Sequence, residues 1–420
     1  MSEIRIDPIK KFSRTLLCAP DKSITHRALM FNAAARGKSE VRGMLCGEDC
    51  LSTLECMRKL GAQIELNGDR ASITGNPEFA SANLYAGNSG TTMRLLGGLL
   101  AAKRGEWIIS GDESLSRRPM KRIITPIELM GGKITGTDGH APLTVKGGRL
   151  HGIDYDMPVA SAQVKSAVIL AALGAEGETR IREKEISRDH TEIMLESMGV
   201  NIFRSGGEIR LCGGQVPQAV SVLVAGDISS AAFPLVCGLI TGGEVTVRNV
   251  GLNPTRTGLI EVFDRIGADY EITDIDAACG EKTGTVTVRG LGQAKPYRID
   301  KSMMPRLVDE IPVLAVLACF LRGESEISGA EELRVKESDR IARTLELLRS
   351  VGATAEETES GMIISGGNAR LRGGCAFDAQ GDHRMAMSAA VALAASEKDG
   401  SVIGGECAAV SYPDFWRLFS

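Results

Sequence analysis

The chain has 420 residues and a formal net charge of −4, with acids and bases mixed along its length. That length exceeds what one hydrophobic core serves, so two domains are expected, and the lack of a basic tail or stripe excludes a nucleic-acid partner. The longest apolar run, Ile311 to Leu321, is too short to span a bilayer, and a start carrying Glu3, Arg5, Asp7, Lys10 and Lys11 is no secretory leader, so a cytoplasmic protein is expected.

The first predicted element is a helix opening on Asp21-Lys22-Ser23, with Arg27 four residues beyond Ser23 on the same face. Free backbone N–H groups, a hydroxyl and two cations in that turn make an oxyanion receptor. The next helix carries Leu51, Leu54, Met57 and Leu60 on one face and ends at Gly61, where a helix C′ residue needs positive φ. The ten cysteines have no paired spacing, and Cys46, Cys50 and Cys56 lack a nearby histidine, so they read as reduced thiols with no metal.

A second polar start follows at Asn88-Ser89-Gly90-Thr91, bracketed by glycines that admit a ligand against the backbone. It lacks the Gly-Lys-Ser/Thr ending of a Walker loop. Ser116-Arg117-Arg118-Pro119 then sets two guanidiniums before a proline suited to position N1 of a helix, which ends at Met130-Gly131. The third start, Ser161-Ala162-Gln163, offers hydroxyl and amide groups, and its partner helix opens at Ser187-Arg188-Asp189-His190 and ends at Met198-Gly199.

Asp227-Ile228-Ser229-Ser230 opens a fourth segment, whose glycine-terminated helix ends at Ile266-Gly267. The fifth start differs, since Asp309-Glu310 puts carboxylates ahead of an apolar helix and Arg334 to Arg340 interleaves both signs, including Lys336, Glu337 and Asp339. Its second helix ends at Val351-Gly352, and the sixth start is Asp382-His383-Arg384. A carboxylate beside a charged ligand suits proton transfer, because neighbouring cations keep it ionised as a base.

Six starts against five glycine-terminated helices, at roughly seventy-residue intervals, describe a repeat protein whose last unit lacks a strand. The first nineteen residues are expected to supply it. The fold class is α/β (α+β), with three repeats in residues 20–225 and three in 1–19 plus 226–420, and the ligand site is expected in the cleft between the two domains.

Read together, Lys22-Ser23 with Arg27, Gly87-Asn88-Ser89-Gly90-Thr91 with Arg94, Arg334 to Arg340, and Asp382 to Met387 resemble the 5-enolpyruvylshikimate-3-phosphate synthase family, in order and over nearly the whole chain. The resemblance implies two domains of three βαβαββ units each, the inside-out α/β enolpyruvyl transferase fold, closing over substrate. It implies transfer of the enolpyruvyl group of phosphoenolpyruvate to the 5-hydroxyl of shikimate 3-phosphate by a monomer without metal or organic cofactor. By position it assigns Lys22, Ser23, Arg27, Ser161, Gln163, Arg188, Asp309 and Lys336 to shikimate 3-phosphate. Phosphoenolpyruvate falls to Lys22, Gly90, Arg118, Gln163, Arg340 and Arg384. Asp309 takes the proton of the attacking hydroxyl, and Glu337 with Lys22 handles protons at the methylene and leaving group.

The chain departs from the family pattern at Ala409-Val410-Ser411-Tyr412-Pro413, where many relatives have a lysine, and at Ala162 and His190. Two other readings compete. The sister transferase acting on UDP-N-acetylglucosamine shares fold and donor but carries a reactive cysteine in a loop that here reads Ser110-Gly111-Asp112-Glu113-Ser114, with no cysteine between Cys56 and Cys212. A non-catalytic anion-binding scaffold would keep the cations and have no use for Asp309 and Glu337.

Overall fold

The computed structural model describes residues 2–420 and divides into two compact units. One comprises residues 20–224 and the hairpin tip 278–281; the other comprises residues 2–19, 225–277 and 282–420. Among the described residues no helix is long and apolar enough to cross a membrane.

Within residues 20–224 one four-stranded sheet recurs. In its second copy Asn83–Tyr85 runs parallel to Gly105–Ser110, which pairs antiparallel with His140–Gly147, which pairs in turn with Lys133–Thr137. Asp154–Asp156, Glu178–Arg182, Glu208–Cys212 and Phe203–Ser205 repeat the order. In the first copy Lys38–Arg42, Arg70–Thr74 and Gln63–Asn67 do the same, but the parallel edge comes from Val222–Leu223 at the end of the unit.

The other unit builds matching sheets. Arg14–Leu17 runs parallel to Glu244–Gly251, which pairs with Glu281–Arg289 and so with Tyr270–Ala278. Arg298–Ile299, Glu324–Ile327, Gly361–Ser365 and Thr354–Thr358 make the fifth sheet. In the sixth, Ala376–Asp378 lies parallel to Gly400–Ile403, and Glu3–Ile6 adds antiparallel to its far edge. The first nineteen residues therefore divide: Glu3–Ile6 completes the sixth sheet as expected, whereas Arg14–Leu17 joins the fourth. It precedes the helix Lys22–Ala34, yet the place beside Lys38–Arg42 is taken by Val222–Leu223, so two short edge strands have exchanged positions. Edge pairing is made by backbone groups that every residue carries, so neither strand's side chains announced the exchange.

Two kinds of helix fill each unit. The helices after the polar starts, such as Ile228–Thr241 and Ile311–Ala318, are apolar on every side and buried nearly throughout. The eight residues of Ile311–Ala318 include five Val, Leu or Ile side chains, each contributing about 1.5–3 kcal/mol on full burial. The glycine-terminated helices are amphipathic and half-exposed, as in Gly258–Ile266, where Leu259, Val262, Phe263 and Ile266 face inward. Gly61, Gly131, Gly199, Gly267 and Gly352 all have positive φ, between 71° and 105°.

The inner helices of each unit pack on one another. Gly98 shows how closely: a Cβ there would stand 2.1 Å from the carbonyl oxygen of Ala167, so only glycine lets the helices Gly90–Ala101 and Ala162–Ala172 meet. That approach brings their N-terminal residues within hydrogen-bond reach.

Candidate active site

In the unit of residues 20–224, Asp21 caps the helix Lys22–Ala34 by accepting from the Ile24 N–H. The cap orients Lys22, whose Nζ lies 2.5 Å from Asp49 Oδ2 while keeping 18% of its side chain exposed. Ser23 is half-buried, and its carbonyl accepts from an Arg27 NH1 at 3.0 Å. Arg27 is buried and otherwise donates to Thr191 Oγ1 at 2.7 Å and Ser166 Oγ at 2.9 Å. Burial pulls its guanidinium down to about 10 while Glu192, Asp21 and Glu281 hold it up, so it stays charged at neutral pH.

Ser89 caps Gly90–Ala101, and Ser161 caps Ala162–Ala172 through the Val164 N–H. Gln163 bridges the two starts: its Oε1 accepts from Arg94 at 2.6 Å and its Nε2 donates to Thr91 Oγ1 at 2.9 Å. Arg118 donates to Asn88 Oδ1 at 2.5 Å and Ser114 Oγ at 3.5 Å. A Cβ on Gly90 would sit 2.7 Å from Arg94 NH1 and 3.5 Å from Arg118 NH1, so both guanidiniums reach the bare backbone of that first turn. Pro119 does not open the following helix, which runs Lys121–Leu129 behind an N-cap at Met120. Arg118 instead follows the short helix Glu113–Ser116, and its N–H bonds back to the Leu115 carbonyl.

Arg188 stands half-buried before the helix His190–Ser197, on a loop anchored by a buried ion cluster. Lys165 Nζ lies 2.8 Å from both Glu183 and Glu192 and donates to the Ser187 carbonyl at 3.1 Å. Burial works against the Lys165 charge, but the two carboxylates raise its pKa overall. His190 pairs with Glu281 of the hairpin tip at 2.6 Å.

In the unit of residues 225–420 one arginine organises the acids. Arg340, the first residue of Arg340–Ser350, is 1% exposed and meets Asp382 at 2.9 and 3.2 Å, Glu337 at 2.7 Å and Asp309 at 3.2 Å. Burial opposes its charge, yet the three carboxylates push its pKa up. Burial also tends to raise the Asp382 carboxyl, and Arg340 outweighs it, holding Asp382 ionised below the usual carboxylate range. Asp309 does not cap the fifth inner helix; Glu310 occupies the N-cap, leaving Asp309 turned to Arg340. Asp309 and Glu337 keep 20% and 28% of their side chains exposed, so each reaches both the cation and solvent.

Arg384 lies in the first turn of His383–Ala394, 4% exposed. Its closest acid is Asp227 at 3.9 Å, and its Nε and one NH have no hydrogen-bond partner. Asp227 is already engaged by Arg256 at 2.6 Å and by the Ser229 N–H. A buried guanidinium with unspent donors is set to receive an anion. Lys336 is half-buried after the turn Glu331–Val335 and makes no ion pair among the described residues.

The sequence named every residue of the Arg340 cluster except Asp382, which it read only as a helix start. Asp49, Lys165, Glu183, Glu192 and Arg256 were not picked out either, and Arg94 and Asp227 entered only as members of helix-start motifs. Each acts by pairing with a residue distant in the chain, and an isolated Asp, Glu or Lys inside a helix carries no mark of that pairing.

The sequence profile of EPSP synthase (3-phosphoshikimate 1-carboxyvinyltransferase) matches residues 6–419. A protein of Thermoanaerobacter sp. (strain X514) named 3-phosphoshikimate 1-carboxyvinyltransferase is 45% identical over 416 residues, covering 98% of each chain. One of the same name from Synechococcus sp. (strain WH7803) is 47% identical over 94% of this chain and 92% of its own. The solved structure of EPSP synthase from Acinetobacter baumannii superposes with a TM-score of 0.88 at 41% identity, over 100% of this chain and 97% of that one.

Proposed function

Because the chain belongs to the EPSP synthase family, we propose that it transfers the enolpyruvyl group of phosphoenolpyruvate to the 5-hydroxyl of shikimate 3-phosphate, releasing phosphate, as a step toward aromatic amino acids. The observation that carries the reading to chemistry is the Arg340 cluster, where two part-exposed carboxylates share one cation. The two substrates bring two phosphates and two carboxylates together, which would repel by several kcal/mol at short range without compensating charge. Arg384 with its unspent donors, Lys22 and Arg94 near the starts of their helices, and Arg118 beside the Gly90 turn supply that charge.

In this reading the acceptor oxygen attacks C2 of the donor and gives its proton to Asp309, while C3 gains a proton by way of Glu337 and Lys22. The resulting tetrahedral adduct then loses a proton from C3 and expels phosphate as the C2–O bond breaks. Arg340 keeps Asp309 and Glu337 ionised and ready to accept. Lys22, Ser23, Arg27, Ser161, Gln163, Arg188 and Lys336 hold the acceptor, and Lys22, Gly90, Arg118, Gln163, Arg340 and Arg384 hold the donor. The reaction needs both sets in one turnover. The transfer involves no net oxidation or reduction, so the chemistry asks for no redox cofactor, and in this reading the chain works as a cytoplasmic monomer.

The test is phosphate release from phosphoenolpyruvate with shikimate 3-phosphate as acceptor and UDP-N-acetylglucosamine as control. Release with the first alone is expected; release only with the second would replace this reading by the sister transferase.

A further inference from the structure

The helix Glu48–Lys59 belongs to the glycine-terminated amphipathic class, and two of its polar residues point at the inner helices. Asp49 and Thr53 are four residues apart, hence on one face. Asp49 takes Lys22. Thr53 is fully buried between His26 of the first inner helix and Thr92 of the second, with Oγ1 2.7 Å from His26 Nδ1 and 2.6 Å from Thr92 Oγ1. Thr92 in turn donates its hydroxyl to Ser89 Oγ at 2.7 Å, and its backbone N–H reaches the same oxygen at 3.1 Å. His26, Thr53, Thr92 and Ser89 are each 0% exposed, so bulk solvent does not reach the chain.

Hydroxyl arithmetic fixes the direction of this chain. Each hydroxyl has one proton. Thr92 spends its proton on Ser89, so Thr53 must donate to Thr92, and Thr53 can then only accept from His26. His26 is therefore neutral with the proton on Nδ1. Its other nitrogen, Nε2, is buried without a partner, which is tolerable for a bare lone pair and costly for an N–H. Burial, the larger influence, and the cations Lys22 and Arg27 all disfavour a charged ring there, against the pull of Asp49.

We infer that Thr53 is a positioning residue: through a directed chain of hydrogen bonds from His26 to Ser89 it holds the helix start bearing Gly90, Thr91 and Arg94 in fixed register with the one bearing Lys22 and Ser23. The role rests on the proposed function for its consequence in catalysis, though not for its geometry. Ser89 is the cap that sets the first turn of Gly90–Ala101, and its oxygen is pinned by two bonds from Thr92. Removing the Thr53 hydroxyl leaves Thr92 without its donor and His26 without its acceptor, and lets that turn shift relative to Lys22.

The experiment pairs Thr53→Val, which keeps shape and deletes the hydroxyl, with Thr53→Ser, which restores it. Thr53→Val is expected to raise the KM for phosphoenolpyruvate about tenfold while kcat changes less, since a small misplacement at a binding turn is felt there first. Thr53→Ser is expected to return KM to within about twofold of the parent, a rescue that simple core packing would not give. Nitrogen NMR of histidine-labelled parent protein, with the His26 signal assigned from His26→Gln, is expected to show the neutral Nδ1–H form. An Nε2–H or charged His26, or a folded Thr53→Val with parental KM values, would overturn the inference. Should Thr53→Val not fold, the tautomer and the Thr53→Ser kinetics decide. The NMR arm needs no turnover, so absence of phosphate release from the parent would refute the functional reading and leave the relay to stand or fall by itself.

Discussion

The two units treat their arginines in opposite ways. In residues 20–224 neutral groups take part in holding the guanidiniums near the helix starts: Asn88 and Ser114 accept from Arg118, Gln163 from Arg94, and Thr191, Ser166 and the Ser23 carbonyl from Arg27. In residues 225–420 Arg340 is ringed by three carboxylates. A neutral acceptor fixes a cation without cancelling its field, whereas a carboxylate fixes it and cancels it. On the proposed function, the neutral contacts of the first unit aim its guanidiniums at a phosphate, and the Arg340 cation of the second favours the ionised forms of the acids around it. Arg384 is the exception in the second unit, a buried cation with almost no acid of its own.

The comparison breaks hardest at the acids. Asp309→Ala and Glu337→Ala should each lower kcat by about a hundredfold or more, while circular dichroism and substrate KM values stay near the parent. Parental turnover in either variant would mean that the ring around Arg340 is structural only, as the scaffold reading has it. Next in size is Arg384→Met. The KM for phosphoenolpyruvate should rise by about tenfold to a hundredfold, the scale of a lost charge-assisted contact, and the thermal midpoint should hold or rise because unsatisfied buried donors disappear. A lower midpoint would show that Arg384 is a structural partner of Asp227.

Much of this difference was legible in the chain. The period of polar starts and glycine-terminated helices showed the repeated units, since both are set by local rules of capping and φ. The acids near Arg340 were legible because Asp309 precedes an apolar helix and Glu337 sits in a run of charges. What was hidden was partnership. Asp382 looks like any N-cap until Arg340 is seen folded against it, and Arg14–Leu17 looks like the local partner of Lys38–Arg42 until the exchange with Val222–Leu223 is seen. Neutral tethers were harder still, because an Asn, Gln or Thr that holds an arginine has the same sequence signature as one on the surface.

A pH experiment sharpens the contrast from the neutral side. Burial lowers the His26 pKa from 6.5 to about 3. Between those limits the unfolded chain binds a proton that the folded chain does not, so stability is full above 6.5 and declines as the pH falls toward 3. His26 alone should contribute a slope of about 1.4 kcal/mol per pH unit inside that window. Urea unfolding at pH 7, 6 and 5 should show His26→Gln with a slope shallower by that amount, even if its stability at pH 7 is lower. Equal slopes would mean that the imidazole is charged in the fold and that the relay to Ser89 runs some other way.

The smallest effect probes how firmly a neutral tether holds. In Gly90→Ala the new Cβ would stand 2.7 Å from Arg94 NH1, which must move. The obstacle is the far end of a flexible side chain, so the guanidinium yields before the backbone does. Arg94 then loosens from Gln163 Oε1, while Gln163 keeps its bond to Thr91. Arg118 NH1, at 3.5 Å, stays in ordinary contact. Alanine in a helical first turn also recovers up to about 1 kcal/mol of helix propensity, which offsets the loss of one hydrogen bond of about the same size. The expectation is a thermal midpoint close to the parent and a KM for phosphoenolpyruvate raised by about threefold to fivefold, with the KM for shikimate 3-phosphate unchanged. A shift in both KM values, or a fall in the midpoint, would show that the turn itself moved and that the tethers in this unit are stiffer than neutral hydrogen bonds would make them.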